Sequence, residues 1–448
     1  MNDIFSRRQI LGGATALPLA AALPAVAQVG RQKLDMKKLD AIPAALQSYI
    51  DRGDLAGIVT MIAHRGQIVQ VNTLGMRDLE TRSPMQRDTI FRLASMTKPV
   101  TSVAALMLIE EGKLKLSDPI TKWIPELANR RVLRKSDGPL DDTVPATRDI
   151  TVEDLMTHRA GLGLGPILTG PIAQAYDAAI GKAMMSMMTA DQFLAGLGTL
   201  PLLDQPGTRM QYGVATDVLG FLIERVDGKT LQQALKHRLF APLDMKDTDF
   251  WVPPEKIDRL ASLYQFDEAR GALAKTPGWS DVSKPPLLFM GASALVSTAD
   301  DYMTFAQMLL RNGQSGKVRI LKPETVTLMR TNRLTPAQRQ FPFIGLPLWR
   351  GMGFGLGVAT VEERLATNIF NGSVGSYSWP GAWGTWWEND PVEDLTIIYM
   401  IQQSMKLSPN AGAVLAGGRG VAYREALPAF ERLVYDAVGS PAPLAKRY

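Results

Sequence analysis

Residues 57 to 75, GIVTMIAHRGQIVQVNTLG, form two β-branched runs separated by Arg65-Gly66, which predicts a β-hairpin. After Phe91 the pattern changes. Thr97 to Glu111 (TKPVTSVAALMLIEE) shows no strand alternation, is rich in Ala, Leu and Met, and stops at Gly112. It predicts a mostly apolar, and therefore central, helix. From 112 to about 288 helical patterns broken by Pro and Gly dominate, such as Ala215 to Val226 before Asp227-Gly228 and Leu231 to Phe240 before Pro242. The strand signal returns at Gly353 to Val358, Gly384 to Glu388 and Leu395 to Gln402; the polar turn Asn389 to Asp394 makes the last two adjacent antiparallel strands. Residues 423 to 438 place Leu427, Phe430, Leu433, Val434 and Val438 near helical spacing, with Pro428 implying a kink or a late start.

The order strands, helices, strands, helix predicts an α/β sandwich whose central antiparallel sheet is built from both chain ends, with a mostly helical domain inserted. The boundaries read as 36–92 and 290–440 for the discontinuous α/β domain and 93–289 for the helical one. The first 27 residues stand outside this fold. Ser6-Arg7-Arg8-Gln9-Ile10-Leu11 opens an Ala-rich apolar run ending at the small-x-small sequence Ala25-Val26-Ala27, which resembles a twin-arginine export signal and implies a periplasmic or secreted mature chain. The run carries Pro18 and Pro24 and barely reaches spanning length, and no later run is long and apolar enough to span a membrane.

Composition narrows the chemistry. With 46% hydrophobic and 21% charged residues the chain is of ordinary globular type, with ample apolar residues for a large core. The absence of cysteine removes disulfides, thiol nucleophiles and Cys-ligated metals. A net charge of +5 over 448 residues is too small to imply nucleic acid as the partner. Three histidines, scattered and without an HExxH, argue against a metal site.

There is no G-x-S-x-G elbow, no P-loop and no G-x-G-x-x-G after a strand. The glycine-rich runs Gly161 to Gly165 and Gly351 to Gly357 read as tight packing. His64 beside the hairpin turn and His237 between Lys236 and Arg238 do not suit a general base, and His158 reads as a residue closing a helix. What remains is Ser95-Met96-Thr97-Lys98, at the start of the central helix. A serine and a lysine three apart share a helix face, so the amine reaches the hydroxyl. Desolvation disfavours an ammonium, and a neutral amine can take the serine proton, while the helix N-terminus offers N–H groups to a forming oxyanion.

The surroundings of this motif resemble the serine β-lactamase and penicillin-binding-protein superfamily, in particular its class C-like branch that includes carboxylesterases and transesterases. Six stretches match in order: Phe91 to Val100, Ile150 to Leu162, Pro206 to Gly220, Ala241 to Phe250, Ala294 to Phe305 and Gly353 to Val358. The resemblance implies an acylated nucleophile at Ser95, its partner at Lys98 and, on the Y-x-N element here written Tyr212-Gly213-Val214, a second base at Tyr212. A phenol serves as a base when a nearby cation stabilises the phenolate, which Lys98 supplies. The strand triad written K-T-G in β-lactamases aligns with Trp379-Pro380-Gly381, so the N–H groups of Ser95 and Ala382 are implied as the oxyanion hole and Trp379 and Gly381 as substrate-binding residues.

Two departures from the family pattern bear on specificity. Val214 replaces an amide that would hold the substrate carbonyl, and Trp379 replaces a lysine that would hold a carboxylate. Both favour a neutral, apolar acyl or alcohol group. Of Trp379, Trp383, Trp386 and Trp387, strand alternation lets only some face the site. The expected activity is therefore a carboxylesterase acting on a small-molecule ester or amide, without a cofactor. A β-lactamase or D-amino-acid peptidase with Arg350 as substitute anchor is one alternative, and a non-catalytic envelope binding protein is another.

Overall fold

The computed structural model describes residues 34–343, 348–365, 370, 372–404 and 424–440; the segment read as an export signal, 1–27, lies outside them. The hairpin expected at 57 to 75 forms as β1 (Gly57–His64) and β2 (Gln67–Asp78), turning through Arg65 and Gly66, both at positive φ. A short β3 (Ser83–Pro84) follows, and β4 (Met352–Phe354), β5 (Ala359–Val361), β6 (Tyr377–Ser378), β7 (Thr385–Asp390) and β8 (Leu395–Met400) come from the other end of the chain. They make one eight-stranded sheet in the order β4-β5-β6-β7-β8-β1-β2-β3, with every pair antiparallel. The seam between the two chain ends is β1 against β8, in the register Val59 to Met400 and Ile62 to Ile397.

β1, β7 and β8 are buried along their whole length because both faces of the sheet are covered. Alternate residues go to opposite faces. Val59, Met61, Trp387, Ile398 and Met400 join one apolar cluster, which continues through Tyr302 and Phe305 on a helix at Ala299–Leu310. Ile58, Ile62, Trp386, Ile397 and Tyr399 join another, with Ile42 and Leu46 on a helix at Ala41–Asp51 and Phe430, Val434 and Val438 on the last helix. That last helix runs over Ala426–Val438, with Pro428 in its first turn, where a missing N–H breaks no helical hydrogen bond.

We number the helices α1 (Ala41–Asp51), α2 (Thr97–Glu110), α3 (Val152–Met156), α4 (Ala215–Asp227), α5 (Ala299–Leu310) and α6 (Ala426–Val438). α2 is the central helix the sequence implies, buried from Thr97 to Leu106. α4 ends at Gly228 in the left-handed conformation, as Asp227-Gly228 suggests. Three features differ from the pattern reading. Gly353 to Val358 is not one strand: β4 ends at Phe354, and the chain turns and returns as β5 with Phe354 opposite Ala359. Glycine is needed in that turn because a Cβ on Gly355 would sit 2.1 Å from Met329 O and one on Gly357 2.1 Å from Ser102 Oγ of α2. β7 extends to Asp390, so the turn before β8 is shorter than read. The helical region also holds two small hairpins, Arg131–Leu133 with Thr143–Pro145 and Tyr264–Asp267 with Ala272–Lys275, too short to give a clear alternation.

Candidate active site

Ser95 lies in a 3-10 turn, Ala94–Met96, that feeds directly into α2, and Ala94 before it is held at φ +48. Lys98, three residues on, projects from the same face. Its Nζ is 3.1 Å from Ser95 Oγ and donates to Ala292 O at 3.0 Å, and the side chain is only 3% exposed. The Tyr212 hydroxyl is 2.8 Å from Ser95 Oγ, and Lys98 Nζ lies 4.6 Å from the centre of the phenol ring. The structure thus brings Ser95, Lys98 and Tyr212 into direct contact, with Ser95 half-buried.

Tyr212 is carried by the segment leading into α4. That segment lies against the Gly161 to Gly165 run: Val214 N donates to Gly163 O, and a Cβ on Gly213 would sit 2.2 Å from Leu162 O. The tight packing expected of this run therefore serves to hold Tyr212. His158 follows α3 at φ +53, its N–H on Leu155 O as a helix-closing residue and its carbonyl accepting from Gln211 N. Its ring packs 4.8 Å from Tyr212, and burial with the charge of Lys98 holds its pKa well below the usual histidine range. His158 is a neutral wall behind the phenol. His64 is buried at the end of β1 and His237 is exposed, both away from Ser95's contacts.

Trp379-Pro380-Gly381 is not on a strand. β6 stops at Ser378 and the triad occupies the loop before β7, because Pro380 has no N–H for a ladder bond. The loop is nonetheless fixed: Gly381 N donates to Thr385 O, Gly384 N to Gly381 O, and Thr385 Oγ1 to Leu93 O. A Cβ on Gly381 would meet Leu93 O at 2.1 Å, so glycine brings this loop against the Ser95 turn. The Ser95 and Ala382 N–H groups have no partner among the described residues.

Trp379 is 1% exposed and packs 5.6 Å from Tyr212, 5.7 Å from Phe343 and 5.1 Å from Phe354. It backs the phenol with an apolar wall and offers no cation. Val214, the residue before α4, is buried, and Arg350 is exposed. Trp386 and Trp387 point to opposite faces of β7 into the two core clusters, while Trp383 packs against Trp279 with ring centres 4.4 Å apart and planes tilted by 45°.

The sequence reading missed Asp217, in the first turn of α4. It is wholly buried, accepts from Ala292 N at 2.9 Å, and burial pushes its carboxyl up to about 6 against the opposing pull of Lys98 and that N–H. Its only sequence signal is an acid at a helix start, which is commonplace.

The beta-lactamase family model matches residues 42–414 of the chain. An uncharacterized protein of Mycobacterium tuberculosis is 45% identical over 404 residues, covering 90% of this chain and 99% of that one. Esterase EstB of Burkholderia gladioli is 29% identical over 388 residues, covering 82% and 91%. Among solved structures, EstCE1, a hydrolase with promiscuous acyltransferase activity, superposes with a TM-score of 0.70 at 28% identity, covering 88% of this chain and 99% of that chain.

Proposed function

From the premise that the chain belongs to the beta-lactamase family, we propose that it is an exported serine hydrolase that cleaves carboxylic esters through an acyl group on Ser95. Relatives named as esterases support the ester-cleaving reading. The observation that carries the mechanism is the contact of two proton-handling groups with one hydroxyl: Lys98 Nζ at 3.1 Å and Tyr212 OH at 2.8 Å from Ser95 Oγ.

Ser95 Oγ attacks the ester carbonyl while its proton passes to the Lys98–Tyr212 pair. The tetrahedral oxyanion is held by the N–H groups of Ser95 and Ala382. Collapse expels the alcohol, which takes the proton, and leaves the acyl group on Ser95. The same pair then deprotonates a water that attacks the acyl carbonyl, and the carboxylic acid leaves with Ser95 restored. An alcohol in place of that water gives acyl transfer.

The Trp379 wall and Val214 favour esters over β-lactams, since neither supplies the carboxylate contact or the amide that a lactam would use. A panel of short-chain aryl esters, a chromogenic cephalosporin and a D-Ala-D-Ala peptide, assayed with the purified mature protein, tests the reading. Turnover of the cephalosporin or the peptide without turnover of the esters would replace it with a lactamase or peptidase.

A further inference from the structure

Ala94, immediately before Ser95, lies in the left-handed region at φ +48, a conformation that a residue with a Cβ keeps only where its surroundings hold it. Bonds from outside the turn grip the residues around it. Leu93 N donates to Leu295 O at 2.9 Å. The Gln402 side chain takes both main-chain groups of Arg92, accepting from its N–H at 2.8 Å and donating to its carbonyl at 3.2 Å. The Tyr302 hydroxyl on α5 donates to Met96 O at 2.9 Å, and the Thr385 hydroxyl donates to Leu93 O at 2.8 Å.

Thr385 differs from the other three in what else it holds. Its carbonyl accepts from Gly381 N at 2.7 Å, and Gly381 precedes Ala382, whose N–H has been assigned to the oxyanion. One residue therefore joins the two segments that supply the oxyanion donors: its main chain carries the Ala382 loop and its side chain carries the Ser95 turn. Thr385 is itself anchored, 1% exposed at the start of β7 and paired with Met400 of β8. The fit around it is close, since a Cβ on Gly381 would lie 2.1 Å from Leu93 O and 2.2 Å from Thr385 Oγ1.

We propose that Thr385 is a positioning residue for the oxyanion hole, its hydroxyl setting the separation of the Ser95 and Ala382 N–H groups by fixing Leu93 against the Gly381 loop. The role rests on the reading above, in which Ser95 is the nucleophile and these two N–H groups receive the oxyanion. Two donors stabilise one oxygen fully only when both lie about 2.7–3.1 Å from it. The Thr385 hydroxyl sits 2.8 Å from Leu93 O because it donates a proton along that contact. A methyl group in its place needs about 3.3–3.6 Å, so Thr385→Val, similar in shape but without the O–H, pushes the turn and the loop apart by about half an ångström. Leu93 O keeps Met96 N as a donor at 3.3 Å, so no carbonyl is orphaned and the variant is expected to fold.

Steady-state kinetics on p-nitrophenyl butyrate, with phenylboronic acid as a probe that a serine holds as a tetrahedral adduct, test the role. In Thr385→Val and Thr385→Ala, kcat/KM is expected to fall about ten- to a hundredfold and the inhibition constant of the boronic acid to rise by a similar factor. The pH profile keeps its wild-type shape, because Lys98 and Tyr212 are untouched. Thr385→Ser, which retains the hydroxyl, recovers most of the loss, and melting curves identify the folded variants. A role in packing alone would lower the melting temperature and leave the boronic acid constant unmoved. A folded Thr385→Val or Thr385→Ala enzyme with wild-type kcat/KM and boronic acid affinity overturns the proposal, as does a Thr385→Ser enzyme as impaired as Thr385→Val. Hydrolysis by Ser95→Ala at the wild-type rate would instead overturn the Ser95 reading, and the role of Thr385 with it.

Discussion

Asp217 and Lys98 are joined through a single residue: Ala292 donates its N–H to the Asp217 carboxylate at 2.9 Å and accepts Lys98 Nζ on its carbonyl at 3.0 Å. Lys98 Nζ is thus aimed by main chain, and that main chain is in turn pinned by a buried acid on α4, the helix that Tyr212 leads into. A carboxylate in this place balances the buried lysine without competing for Ser95.

Asp217 gives the site a pH signature. Its folded pKa of about 6 lies above its ordinary 3.8, so the stability it contributes is full below about 4 and is lost as pH rises through about 6. Asp217→Asn keeps an acceptor for Ala292 N–H and deletes the ionisation. The melting temperature of wild type relative to Asp217→Asn is expected to fall between pH 4 and pH 7, and the acid limb of the wild-type kcat profile near pH 6 to flatten in the variant. Parallel pH dependences in the two proteins would mean that Asp217 does not titrate there.

Ser95 is expected to be labelled covalently by a fluorophosphonate, since a hydroxyl beside a base and two free N–H groups is what such probes attack. Intact mass reads the adduct. Labelling of Ser95→Ala to the wild-type extent would move the nucleophile elsewhere.

Lys98→Ala and Tyr212→Phe are each expected to lower kcat on aryl esters at least about a hundredfold, the low end of what positioned proton transfer contributes. Both side chains are buried, so circular dichroism and melting curves should accompany the kinetics. A Tyr212→Phe enzyme with wild-type turnover and an unchanged pH profile would leave the phenol a packing residue among His158, Phe343 and Trp379.

Short-chain aryl esters should exceed penicillins and cephalosporins in kcat/KM by at least about tenfold, equivalent to about 1.4 kcal/mol. Restoring a lysine at Trp379 is a poor probe, because the new ammonium would be buried among Tyr212, Phe343 and Phe354. Val214→Asn is the better one: it returns an amide at the residue preceding α4, and a gain of up to about tenfold on the cephalosporin is expected from one neutral hydrogen bond. Efficient cephalosporin hydrolysis by the wild type would show that the apolar wall does not set the preference.

The elements that sequence reads well are those whose signal is local. The first hairpin, α2 and the late start of α6 follow from residue pattern and from Arg65-Gly66, Gly112 and Pro428. Ser95 and Lys98 are legible because their spacing alone puts them on one face. Asp217 is not, since what gives it meaning is a contact with Ala292 across 75 positions of chain and a burial that helix spacing does not report. The same holds for the carbonyl that aims Lys98, a main-chain atom that no side-chain pattern encodes. Trp379 is misread as a strand residue because alignment to a motif carries no hydrogen-bond ladder with it, and Pro380 ends that ladder.

The seam between β1 and β8 has a consequence for how the protein is made. Val59 and Met400 are partners, so the ribosome must release almost the whole chain before the centre of the sheet can close. Until then the hairpin of β1 and β2 presents an apolar edge strand without its neighbour, the kind of surface on which nascent chains associate. Long-range pairing of this kind slows folding. A chain destined for a translocase that accepts folded cargo would have to complete this closure before crossing the membrane, and a truncation that removes β8 should yield insoluble protein rather than a smaller stable domain.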